Sequence, residues 1–100
     1  YSNAHGTPWV YRERGIGSIV GMPVPGTMTS VNWETLQDAS MYFGIPVVGY
    51  RTKDGKYLEN TQLEPDLKVR NDYDQVIDGR DQQLEVAVKE LLRQIDARRR

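Results

Sequence analysis

The chain contains no cysteine and a single histidine, His5, among its 100 residues. The first absence excludes disulfides, thiol nucleophiles and cysteine-based zinc sites. The second excludes a metal centre built from several histidines of this chain. No apolar run approaches the roughly 20 residues needed to cross a bilayer. Charge bias is missing too: 13 Lys and Arg stand against 14 Asp and Glu, a formal net charge of -1. That balance predicts no generic attraction to nucleic acid or to an anionic membrane. Nothing near the start has the basic, apolar and small-residue succession of a signal peptide, which a piece of a longer protein would have lost.

What is present is ordinary for a soluble domain: 38% hydrophobic and 27% charged residues, enough apolar content to argue against disorder. The length suits one small domain or a piece of a larger one. "AHGTPWVYRERG" reads as a helix from about Ala4 to Arg14, with Pro8 early and Gly15 as a left-handed cap. "IGSIVGMPV" reads as a short strand, limited by Pro23 and Pro25. "PGT" is a turn, and "TMTSVNWE" and "MYFGIPVVGYRT" are strand candidates rich in β-branched and aromatic residues. "KDG" predicts a tight turn, with "KYLEN" returning as the second arm of a hairpin. Pro65 keeps "LEPDLKV" extended, and "YDQVIDG" predicts a single helical turn. From Asp81, a candidate N-cap, Leu84, Val88, Leu91, Leu92 and Ile95 fall on one face of a final helix. The succession is helix, strands, helix, an α/β layout. A helical face and short strands cover one another poorly at this size. The expectation is therefore the C-terminal part of a larger α/β domain, spanning residues 1–100.

The first nine residues, "YSNAHGTPW", pose the functional question. Ser-Asn-Ala is a common expression scar, to be stripped before fold reasoning. Alternatively Ser2, just ahead of a helix, presents its hydroxyl to the positive end of the helix dipole. The N–H of Asn3 would then be placed to stabilise an oxyanion. Local sequence does not decide, because serine before a helix is commonly a plain N-cap. Glu59, taken locally, is a polar residue after a hairpin.

Together, "YSNAHGTPWVYRERGIG", "GSIVGMPVPGTMTSVNWE" and "KDGKYLENTQLEPDLKV" resemble the tricorn and C-terminal-processing peptidase family of serine peptidases. The landmarks are Ser2-Asn3-Ala4, the strand around Gly17 to Gly21, the turn Pro25-Gly26-Thr27, Glu59-Asn60 and Pro65-Asp66. A closing pattern of Gly79, Asp81, Gln83 and Leu84 leads into the last helix. The landmarks follow in order from Ser2, which a scar would achieve only by chance, so Ser2 is read as native.

The resemblance implies a crotonase-like, Clp-like ββα-type peptidase fold ending in an amphipathic helix. It also implies hydrolysis of peptides or unfolded segments through an acyl-enzyme on Ser2. Thr27 stands where one branch of the family carries a catalytic lysine, which disfavours a serine–lysine dyad. The tricorn-like branch pairs serine with histidine and glutamate. It implies catalytic roles for Ser2 and Glu59, an oxyanion donor at Asn3, and a histidine from sequence beyond this chain. His5 follows Ser2 too closely for the base position and is expected near the site, as a further candidate substrate-lining residue. Thr27, Met28 and Trp33 are candidate substrate-lining residues, beside the plainer expectation that Trp33 covers the sheet and that Trp9 and Tyr11 pack the first helix. No cofactor or metal is implied; Asp78-Gly79 and Glu85 imitate a calcium loop, but Val76 occupies a ligand position. Implied partners are a peptide substrate, the rest of the catalytic domain and further copies of the chain, in a periplasmic or otherwise exported setting. The competing expectation is a peptide-binding module that kept the fold and lost the chemistry.

Overall fold

The computed structural model describes residues 2–99. Its elements are α1 (Asn3–Glu13), β1 (Val20–Gly21), β2 (Thr29–Thr35), β3 (Tyr42–Gly49), β4 (Leu67–Lys68), α2 (Tyr73–Ile77) and α3 (Gln82–Arg98). The class is mixed α/β, and the chain divides into two compact units.

The first unit holds residues 1–15 and 24–63. Helix α1 starts one residue before the expected Ala4 and ends at Glu13. Pro8 lies inside the helix, not in its first turn, so the carbonyl one turn earlier loses a backbone donor. Strands β2 and β3 form an antiparallel pair running from Thr29↔Gly49 to Thr35↔Tyr42. The register shifts between Ser30 and Val31, which face Val48 and Pro46. Pro46 thus sits at an irregularity of a two-stranded sheet, where a missing N–H does little harm.

The expected arm "KYLEN" is not a strand. Its pairing reduces to one bridge, Arg51↔Tyr57, with Leu58 N–H donating to Tyr50 at 3.0 Å. Beyond it the chain turns away at Asn60, whose φ of 59° is left-handed. Leu58 and Leu63, each 6% exposed, are the buried apolar side chains among the described residues. His5 is buried deeper still, at 1%. Trp33 does not cover the sheet as expected: it is 60% exposed, edge-on to Tyr42 at 5.3 Å. Tyr42 and Phe43 are themselves exposed.

The second unit holds residues 16–23 and 64–100. The strand expected over "IGSIVGMPV" shrinks to β1, which pairs in parallel with β4 through Val20↔Leu67 and Gly21↔Lys68. Ile19 extends the join, donating to Asp66 Oδ2 at 2.7 Å and accepting from Leu67 N–H at 3.1 Å. Helix α3 is capped by Asp81, whose Oδ1 accepts from Leu84 N–H at 3.0 Å. Asn71 braces that cap, donating to Asp81 Oδ1 and accepting from Gln83 N–H. Gln83 in turn donates to the Val69 carbonyl at 2.9 Å, tying α3 to the end of β4. The apolar stripe of α3, Leu84, Val88, Leu91, Leu92 and Ile95, is exposed.

Candidate active site

Ser2 is the N-cap of α1, yet its side chain makes no capping hydrogen bond. Its carbonyl accepts from the N–H groups of His5 and Gly6, each at 2.9 Å, so the helix begins normally along the backbone. The hydroxyl is not used to cap the helix. Backbone angles of φ 49° and ψ -108° put Ser2 in a region that L residues rarely adopt. Strain of this kind persists only where surrounding structure imposes it, and it clusters at functional positions. A serine held on a sharp turn at a helix start is the arrangement that exposes a nucleophilic oxygen. Asn3, the first helical residue, is exposed, and its N–H is among those a helix start leaves without an intrahelical acceptor.

Ser2 opens onto a cleft of about 320 Å³ lined also by Thr27, Thr29, Val31, Pro46 and Glu59. Glu59 arrives there on an irregular segment. Its Oε2 accepts from the Met28 N–H at 2.7 Å and from the Thr29 hydroxyl at 2.6 Å. These bonds hold its carboxyl below the usual glutamate range; the Thr29 hydroxyl contributes most, then the Met28 N–H, with a smaller contribution from His5. At neutral pH Glu59 is therefore an ionised acceptor.

The segment carrying Glu59 is locked against the turn it faces. Asn60 N–H donates to the Gly26 carbonyl at 2.6 Å. A Cβ on Gly26 would collide with the Thr61 backbone, so only glycine permits this approach. Gly6 plays a matching part under α1: a Cβ there would reach Met28 Cε at 2.5 Å. The residue whose N–H holds Glu59 is thereby packed against the helix that presents Ser2.

Of the residues singled out by sequence, Ser2, Thr27 and Glu59 line one cleft. Met28 meets Glu59 through its backbone N–H and turns its side chain toward Gly6. His5, a candidate lining residue by sequence, is instead buried and absent from the cleft lining, with no hydrogen-bond partner at Nδ1. Trp33 lies apart, beside Tyr42. Sequence reasoning missed Thr29, Val31 and Pro46. The alternation Thr27, Thr29, Val31 is a period-two signal that places all three on one side of an extended segment. Among the described residues no group of His, Cys, Asp and Glu is gathered as a metal site.

With this geometry in view, the comparison with known families is decisive. The family model of peptidase family S41 matches residues 1–69. The chain belongs to peptidase family S41. The family is one of serine peptidases, which supports a peptidase, a hydrolase of peptide bonds, in the full-length protein, and a peptide fits as substrate. The matched stretch contains the whole cleft and both strands of the parallel pair, Val20–Gly21 and Leu67–Lys68. The closing pattern at Gly79, Asp81, Gln83 and Leu84, taken above as part of the resemblance, lies beyond it. No curated protein and no solved structure matches the chain. Among the described residues, no helix of this S41 peptidase is long and apolar enough to cross a membrane.

Proposed function

We propose that this S41 peptidase is a tricorn-like serine endopeptidase whose nucleophile is Ser2. The observation that carries the reading is a serine at a helix start, in a strained backbone conformation, with an uncapped hydroxyl that shares a cleft with an ionised glutamate. In this reading the Ser2 oxygen attacks the substrate carbonyl while its proton passes to an imidazole from another part of the full-length protein. The carbonyl oxygen, now an oxyanion, meets the N–H of Asn3 at the positive end of α1. Collapse expels the amine with that proton and leaves an acyl-enzyme on Ser2, which water then hydrolyses. Glu59 accepts a hydrogen bond from the group that enters the cleft and orients it. His5, buried and not among the residues lining the cleft, stays outside proton transfer.

The matching proposal for architecture is that residues 1–100 form the C-terminal part of a crotonase-like catalytic domain. The exposed apolar stripe of α3 supports it, since a helix with such a face ordinarily packs against another element. The test is labelling of the full-length protein by a fluorophosphonate probe. We expect a covalent adduct on Ser2 that Ser2→Ala abolishes. A folded wild type that takes up no label would leave a non-catalytic peptide-binding module as the better reading.

A further inference from the structure

We infer that Thr29 is a positioning residue of this peptidase: its hydroxyl, with the adjacent Met28 N–H, clamps one oxygen of Glu59 and thereby aims the carboxylate into the cleft. The inference rests on the serine-peptidase reading and assigns the device that makes Glu59 usable.

Glu59 receives little help from its own segment. It stands between the buried Leu58 and the left-handed Asn60, outside any strand or helix. Its donors come from 30 and 31 residues away along the chain. They sit on consecutive residues at the start of β2, one a backbone N–H and the other a side-chain hydroxyl, and both end on Oε2. A carboxylate so held cannot turn without losing two charge-assisted bonds. Oε1 is the oxygen left to accept from a partner in the cleft.

Threonine suits the task better than a longer donor. Its β-branched side chain has few χ1 choices, and its backbone is fixed by pairing with Gly49. The hydroxyl is the largest of the influences that hold the Glu59 carboxyl below its usual range, ahead of the Met28 N–H, and His5 on α1 is the titratable group that also acts on it. The backbone donor of Met28 survives any side-chain substitution, so Thr29 is the half of the clamp that can be removed cleanly.

The experiment compares Thr29→Val and Thr29→Ser in the full-length protein. We expect Thr29→Val to lower kcat on the order of tenfold, the usual effect of losing a hydrogen bond to a charged group, with KM within about twofold. Carbon-13 NMR of labelled glutamate carboxyls should show Glu59 titrating at higher pH than in the wild type. Thr29→Ser should restore both. Should Thr29→Val fail to fold, Thr29→Ser against Thr29→Ala isolates the hydroxyl on a common background. Wild-type kcat and an unmoved Glu59 titration in Thr29→Val would overturn the inference. Equal impairment of the Val and Ser variants would also do so, since that pattern belongs to packing. Absence of fluorophosphonate labelling on wild-type Ser2 is a separate failure, one that removes the peptidase reading and this inference with it.

Discussion

Each of the three helices among the described residues begins at a residue of capping type, and the two longer ones use it in opposite ways. Asp81 lies in extended backbone, its carboxylate accepts the Leu84 N–H, and Asn71 braces it. Ser2 has a positive φ, and its hydroxyl caps nothing. A capping residue that caps is doing structural duty, and its side chain is spent. Asp72 also leaves its cap unmade, but in ordinary extended backbone; Ser2 does so in a conformation that costs energy. The contrast supports the proposed role of Ser2 on grounds that do not depend on the family match.

The largest effect that can break this contrast is at Ser2 itself. Ser2→Ala in the full-length protein should lower kcat by several orders of magnitude. It should leave the thermal unfolding midpoint where it was, because no cap is lost. A clear drop in that midpoint would return Ser2 to the role of Asp81.

Glu59→Gln comes next. It should cut kcat on the order of ~10², in line with other orienting carboxylates. Full activity would remove Glu59 from the site. Gly26→Ala is a smaller test of the same geometry. Its Cβ must displace the Thr61 backbone, costing on the order of 1–3 kcal/mol as overpacking does, and it should reduce kcat by moving Glu59. Denaturant unfolding and steady-state kinetics on one preparation would show both.

Asp81→Ala gives the smallest effect and sharpens the other side of the comparison: a modest fall in unfolding midpoint with kcat unchanged. A pH series extends it. Bonds from Leu84 N–H, then Asn71, hold the Asp81 carboxyl below its ordinary value. A folded-state pKa lower than the unfolded one means the unfolded chain takes up protons first as pH falls. The cap's contribution is therefore complete above the ordinary aspartate range and disappears as pH drops through the lowered folded value. Wild type and Asp81→Ala should differ most near neutrality and converge in acid.

Much of this was readable along the chain, because helix faces, caps and strand propensity are local. The α3 stripe with Asp81 at its head, the extent of α1 and the strands β2 and β3 all follow from residue spacing. Pro8, inside α1, shows the limit, since a few residues' difference in helix start changes what a proline costs. "KYLEN" fails for a different reason: Leu58 is drawn into the core and Glu59 toward β2, so long-range closure overrides a local hairpin tendency. Trp33 fails because an apolar residue on a strand reveals nothing about whether another layer lies above it.

The site divides along the same line. Ser2 and Glu59 were identified through motif order, while their meeting in one cleft is tertiary. Thr29 carried no signal of its own, since a threonine beginning a strand is common and its hydroxyl acquires meaning only from what the fold brings within 2.6 Å.

The sequence by itself determined the chemical inventory: no thiol, one histidine, a serine before a helix and a glutamate far from it. It also determined the local elements, since these depend on neighbours a few residues apart. Only the tertiary structure decided that the serine would not cap its helix, that the lone histidine would be buried, and that two consecutive donors would seize one oxygen of Glu59. Those outcomes depend on closing long loops around a sparse core, and the free energy of that closure belongs to the whole arrangement and to no single stretch.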